Sequence, residues 1–98
     1  MFEVRQSSIY RDWFDRLRDR QARVRIDARI SRLIMGNAGD AKSVGSGVSE
    51  LRIDHGSGYR VYFSRKGKTI ILLLCGGDKR TQAADIKSAQ KMVAELED

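Results

Sequence analysis

Apolar residues recur along this chain at two different periods, and the change from one to the other falls between residues 36 and 48. Before it the spacing is helical. Ile9, Trp13, Phe14 and Leu17 share one face of a helix that Ser7 or Ser8 can cap. Asp19 caps a second helix running to about Met35, with Ala22, Ile26, Ile30 and Leu33 turned inward and Gly36-Asn37 as its stop. After residue 48 the period is two. Leu51 and Ile53 alternate with Glu50, Arg52 and Asp54, and Tyr59, Val61 and Phe63 alternate with Arg60 and Tyr62. Residues 68–75 are apolar on both faces, which predicts a strand inside the sheet. A last helix starts near Thr81, with Ile86, Ala89, Val93 and Leu96 at helical spacing, and residues 2–5 read as a short leading strand. The order predicts an α+β fold in a single domain over residues 1–98. It comprises an N-terminal strand, two helices, a three-stranded antiparallel meander and a C-terminal helix.

Between the two regimes, Gly36 to Gly47 reads as an irregular loop of about twelve residues, long for so small a domain. Its one cation is Lys42, and it lacks the Gly-Lys-Ser/Thr signature of a phosphate-binding loop. In the first hairpin the apolar residues must stay on one face, which leaves two registers. Either Leu51 faces Val61 and Arg52 faces Arg60, or Leu51 faces Phe63 and Asp54 faces Arg60. In the second, a Lys66-Gly67 turn would pair Phe63 with Ile70, Val61 with Leu72 and Arg60 with Leu73. The expected core is then Trp13, Ile26, Ile30, Val61, Phe63, Ile70 and Leu72, with Ile71 and Leu73 beside Arg60 on the opposite face.

Lys and Arg outnumber Asp and Glu by 19 to 13, giving a net charge of +6 and a pI near 9.9, a balance that favours an anionic partner. On the second helix, most of Arg20, Arg23, Arg25, Arg29 and Arg32 are expected to be solvated, with Asp15, Asp19 and Asp27 within pairing distance. Cys75 is the one cysteine, so no intramolecular disulfide forms, which fits a reducing cytosol. It reads as a buried small hydrophobe. The first residues lack the apolar core of a signal peptide, and the longest apolar run, Ile70 to Cys75, is too short to span a membrane. His55 and Cys75 are the only soft ligands, so no zinc spacing exists, and neither metal nor cofactor is expected. His55 reads as a solvated turn residue.

Both hairpin registers put Arg52 and Arg60 on one face, and Lys79 follows the end of the apolar strand toward the same region. Like charges paired on a sheet are destabilising unless compensated. Glu50 and Asp54 can neutralise them, or the cations are held ready for phosphate. The residue pattern leaves both open.

Phe14 and Leu17, Arg29-Ile30-Ser31-Arg32-Leu33, Lys42 to Ile53, Gly58-Tyr59-Arg60-Val61-Tyr62-Phe63 and Leu73-Leu74-Cys75-Gly76-Gly77-Asp78-Lys79 together resemble the RelE/ParE toxin superfamily, in its HigB-like, phage-derived addiction module killer branch. The resemblance spans nearly the whole chain. It implies the toxin of a type II toxin–antitoxin module, a cytoplasmic, metal-independent, ribosome-dependent mRNA endonuclease held in check by an antitoxin, itself a helix-turn-helix protein. It assigns catalysis to Arg52, Arg60 and Lys79, with Asp85 as candidate base, and RNA contact to Lys42, Arg65 and Arg80. Members of the group often place Tyr or His in the last helix to move the 2′-OH proton, and this chain has neither there. Asp85 then acts as base, or the cations alone activate the RNA, or the chain cleaves poorly or not at all. ParE-like members inhibit DNA gyrase without hydrolysis, which is the alternative function. A basic RNA- or protein-binding module, with Trp13, Tyr59 and Tyr62 as stacking aromatics, is a third.

Overall fold

A computed structural model describes residues 1–97. Strand β1 (Glu3–Gln6) leads into α1 (Ser8–Arg16) and α2 (Arg20–Ile34). Strands β2 (Ala41–Gly45), β3 (Val48–Ile53), β4 (Tyr59–Lys66) and β5 (Ile70–Gly77) follow, and a single 3-10 turn, Lys79–Thr81, opens into α3 (Gln82–Glu97). The sheet order is β1-β5-β4-β3-β2, with β1 parallel to β5 and every other pair antiparallel. The α+β architecture is the one the periodicity predicts. The caps are the expected ones as well: Ser7 accepts from the Tyr10 N–H and Asp19 from the Ala22 N–H.

Helices cover both faces of the sheet. On one, α1 and α2 enclose Tyr10, Ile26, Ile30, Leu33, Leu51, Ile53, Val61, Phe63, Ile71 and Leu73. On the other, α3 packs Ala89 and Val93 over Val48, Tyr62, Leu74 and Cys75. The α2 stripe is as read from the sequence. On α1 the buried residue is Tyr10, while Ile9 is exposed. Among the described residues no helix is long and apolar enough to cross a membrane.

The meander has four strands, because part of the Gly36–Gly47 segment is β2. Its glycines serve a hairpin. Ser46 and Gly47 form the two-residue turn with φ of 56° and 77°, the left-handed pair that matches strand twist. Val44 is the extra residue of a bulge between Ser43 and Gly45, and its carbonyl accepts from Gln90 Nε2 of α3 at 2.9 Å.

The β3–β4 register is the first of the two expected, with Leu51 opposite Val61 and Arg52 opposite Arg60. The β4–β5 register corrects the expected one. Lys66 pairs with Ile70, so the turn is Gly67-Lys68-Thr69, and Phe63 faces Leu73 rather than Ile70. The shift is an odd number of residues, so it exchanges the faces: Ile71 and Leu73 enter the core in place of Ile70 and Leu72. Leu74 then bulges, Tyr62 meets Cys75, and Arg60 faces Gly77 instead of Leu73. Gly76 and Gly77 are needed for space. A Cβ on Gly76 would lie 2.3 Å from the Trp13 ring, and one on Gly77 would lie 1.8 Å from Asp85 Oδ2.

Candidate functional site

Register alone brings the cations together. Arg52 and Arg60 are cross-strand partners at the end of the β3–β4 hairpin, on the α3 side of the sheet. The loop joining these strands folds against the 3-10 turn, where the Lys79 N–H donates to the Ser57 carbonyl at 3.3 Å. Asp78 secures that turn by accepting from the Arg80 and Thr81 N–H groups. Gly58 closes the approach with φ of 78°, its missing side chain leaving room for Arg60 Nη1 and the Lys79 stem. The result is a cleft of about 390 Å³ lined by Asp40, Arg52, Asp54, Tyr59, Arg60 and Lys79, among others.

Each cation is held differently. Arg52 is half exposed and paired with Asp40, whose Oδ1 accepts from Nη2 at 2.9 Å and from Nε at 3.2 Å. Asp40 comes from the residue before β2, and its backbone carbonyl accepts from the Arg52 N–H. Arg29 braces the same corner by donating to the carbonyls of Arg52, Ala38 and Asp40. It is therefore a strut, whereas solvation was expected. Arg60 is only 12% exposed; Nη1 donates to the Gly58 carbonyl at 2.8 Å, and Nε lies 3.5 Å from an oxygen of the fully buried Glu50. Lys79 is exposed. Three cations (Arg52, Arg60, Lys79) thus meet three carboxylates (Asp40, Asp54, Glu50) in and beneath the cleft. The local charge balances, which is the structural compensation considered from the sequence.

Asp85 lies next to this group. Gly77 is the cross-strand partner of Arg60, and the Asp85 carboxyl occupies the place of the side chain that Gly77 lacks. Thr81 Oγ1 donates to it at 2.5 Å. Partial burial raises the Asp85 carboxyl above its ordinary range, opposed by the Thr81 bond and assisted by the Asp78 charge. Its open side faces a second cleft with Trp13, Cys75, Gly76 and Ser88. The Cys75 thiol is buried there and pushed up to about 12, by burial first and Asp85 second. It is an inert packing residue, as expected.

The residues assigned to RNA contact are dispersed. Lys42 and Arg65 line a separate cleft near the other end of the β3–β4 hairpin, and the Arg65 guanidinium sits 5.4 Å over the Phe2 ring. Arg80 neighbours Lys79, is 84% exposed and pairs with Asp78 at 3.2 Å. His55 is mostly covered: its Nε2 is 3.0 Å from Asp19 Oδ2 and its ring stacks on Tyr59, which corrects the solvated-turn reading. Asp19 is held below its usual range by the Ala22 N–H and then by His55. The sequence pattern does not announce Asp40 as the partner of Arg52, nor Gln82 as the partner of Glu50. The signal for Gln82 is only its place at the start of α3, three residues before Asp85, at same-face helical spacing.

The family described as Phage derived protein Gp49-like (DUF891) matches residues 12–96. The chain belongs to this family. An uncharacterized protein of Haemophilus influenzae is similar as well, 46% identical over 94 residues that cover 96% of this chain and 95% of the relative. The segment matched to the Gp49-like family includes every residue of the cleft and Asp85.

Asp40 occupies the Arg52 fork in this Gp49-like chain, so a phosphate reaching that fork would have to displace it. Asp40→Asn is expected to tighten binding of a short RNA about two- to five-fold, the scale of a released surface pair. Fluorescence anisotropy reads this, and unchanged or weaker binding would show that Asp40 does not compete.

Proposed function

We propose that this Gp49-like chain is the toxin of a type II toxin–antitoxin module and cleaves mRNA on the ribosome without a metal. The observation that carries this reading is the single cleft shared by Arg52, Arg60 and Lys79, beside which the Asp85 carboxyl fills the space left by Gly77, the cross-strand partner of Arg60. The association of the Gp49-like family with addiction module killer proteins supports the same reading. In the proposed reaction the 2′-OH loses its proton and attacks the neighbouring phosphate, and the P–O5′ bond breaks to leave a 2′,3′-cyclic phosphate and a protonated 5′-oxygen. Arg60 and Arg52 stabilise the charge that grows on the phosphate oxygens, through planar forks that can hold phosphate bidentately. Lys79, free on the rim, neutralises the oxygen of the departing nucleotide. Asp85, its carboxyl raised by partial burial and anchored by Thr81, is the group that exchanges the proton in this scheme. An antitoxin that masks the cleft would suppress the activity.

Induced expression with mapping of mRNA 5′ ends tests the proposal. New ends in phase with codons are expected. Growth arrest with DNA-damage signalling and no new ends would replace it with the ParE-like gyrase reading.

A further inference from the structure

Beneath the cleft lies a charged group that the proposed reaction does not use. Glu50 is fully buried in the middle of β3. Its Oε2 accepts from Gln82 Nε2 at 2.8 Å and from the Tyr62 hydroxyl at 3.1 Å. Arg60 Nε lies 3.5 Å from the same oxygen, outside hydrogen-bond geometry. Glu50 Oε1 and Arg60 Nε are the buried side-chain polar atoms without a hydrogen-bond partner among the described residues. Stability does not explain such a group, because a buried ion pair with unmet partners is commonly matched or bettered by apolar packing.

We propose that Glu50 is a positioning residue for Arg60, an inference that rests on the cleft being a phosphate site. The carboxylate stands behind the guanidinium and holds its Nε edge inward. The Gly58 carbonyl takes Nη1, and the outer edge of the fork is left toward the cleft. Two features keep the carboxylate itself in place. The Tyr62 hydroxyl, whose ionisation burial and the Glu50 charge both disfavour, stays a donor. Gln82 ties Glu50 to the first turn of α3, one helical step from Asp85. Glu50 therefore registers the two halves of the site, the arginine on the sheet and the carboxyl on the helix, against each other.

The test compares wild type with Glu50→Gln, which keeps shape but not charge, and Tyr62→Phe, which removes one donor to the carboxylate. Exchange of the Arg60 Nε–H, followed by NMR, reports the restraint without reference to activity. It is expected to quicken roughly tenfold or more in Glu50→Gln and less in Tyr62→Phe, as loss of a buried charge-assisted contact implies. In ribosome-bound RNA cleavage, kcat should fall by a similar factor with KM little changed, because orientation and not binding is lost. Circular dichroism and thermal midpoints are read alongside. Exchange and kcat at wild-type values in a folded Glu50→Gln chain would overturn the inference. Where Glu50→Gln fails to fold, unchanged exchange in Tyr62→Phe overturns it equally. A wild-type chain that cleaves no RNA would refute the proposed function instead, and the exchange comparison would still decide whether Glu50 restrains Arg60.

Discussion

Arg60→Ala is expected to abolish growth arrest, with RNA cleavage reduced by about two to three orders of magnitude, the usual cost of removing one preorganised donor to a developing oxyanion. The side chain comes from mid-sheet, is 12% exposed and has its Nη1 held by Gly58, so it reaches the cleft with little freedom to lose. Arg60→Lys should recover only part of the activity, since an ammonium cannot reproduce the planar fork. The same burial complicates the experiment. Removing Arg60 alone strands the Glu50 carboxylate, and breaking a buried pair from one side costs about 3–5 kcal/mol. The double variant Arg60→Met with Glu50→Gln removes both charges together and should fold more stably than Arg60→Ala. Growth assays run beside circular dichroism separate the two effects. A folded chain lacking Arg60 that still arrests growth fully would refute the site.

Phe63→Ala is expected to cost about 3–5 kcal/mol, the range for truncating a buried aromatic. Phe63 is 2% exposed in the cluster under α1 and α2, with Leu73 as its cross-strand partner and Val61 and Ile71 on the same face. A domain of this size has about 5–15 kcal/mol in all, so the variant should be near the edge of folding. Urea unfolding measures the loss, and a value below about 1 kcal/mol would place Phe63 outside the packed core.

The helices, their caps, the α2 stripe and the β3–β4 pairing could all be read from the chain, because each depends on residues near in sequence. The site could be read to the same extent: a hairpin with one apolar face leaves Arg52 and Arg60 nowhere to go but together. Features set by distant residues could not. Strand β2 looks like a loop by its glycines, and only β3 and the Gln90 contact from α3 make it a strand. The β4–β5 register turned on whether two or three residues make the bend at Gly67, and on a bulge at Leu74 that no local pattern announces. Glu50 looked like a surface neutraliser because alternation says which face a residue takes, not whether a helix later covers it. His55 and Asp19 are 36 residues apart and meet only once α2 and the β3–β4 loop are in place.

The parallel pairing of β1 with β5 has a consequence for the order of events during synthesis. Glu3 stands in register with Ile70 and Gln6 with Leu73, so β1 waits for β5, which is made long after it. Closing so long a loop is entropically costly and slow compared with hairpin formation. The hairpin bearing Arg52 and Arg60 can form earlier, yet Lys79, Gln82 and Asp85 lie beyond β5. A nascent or truncated chain therefore exposes two arginines without the lysine that flanks them or the helix that anchors Glu50.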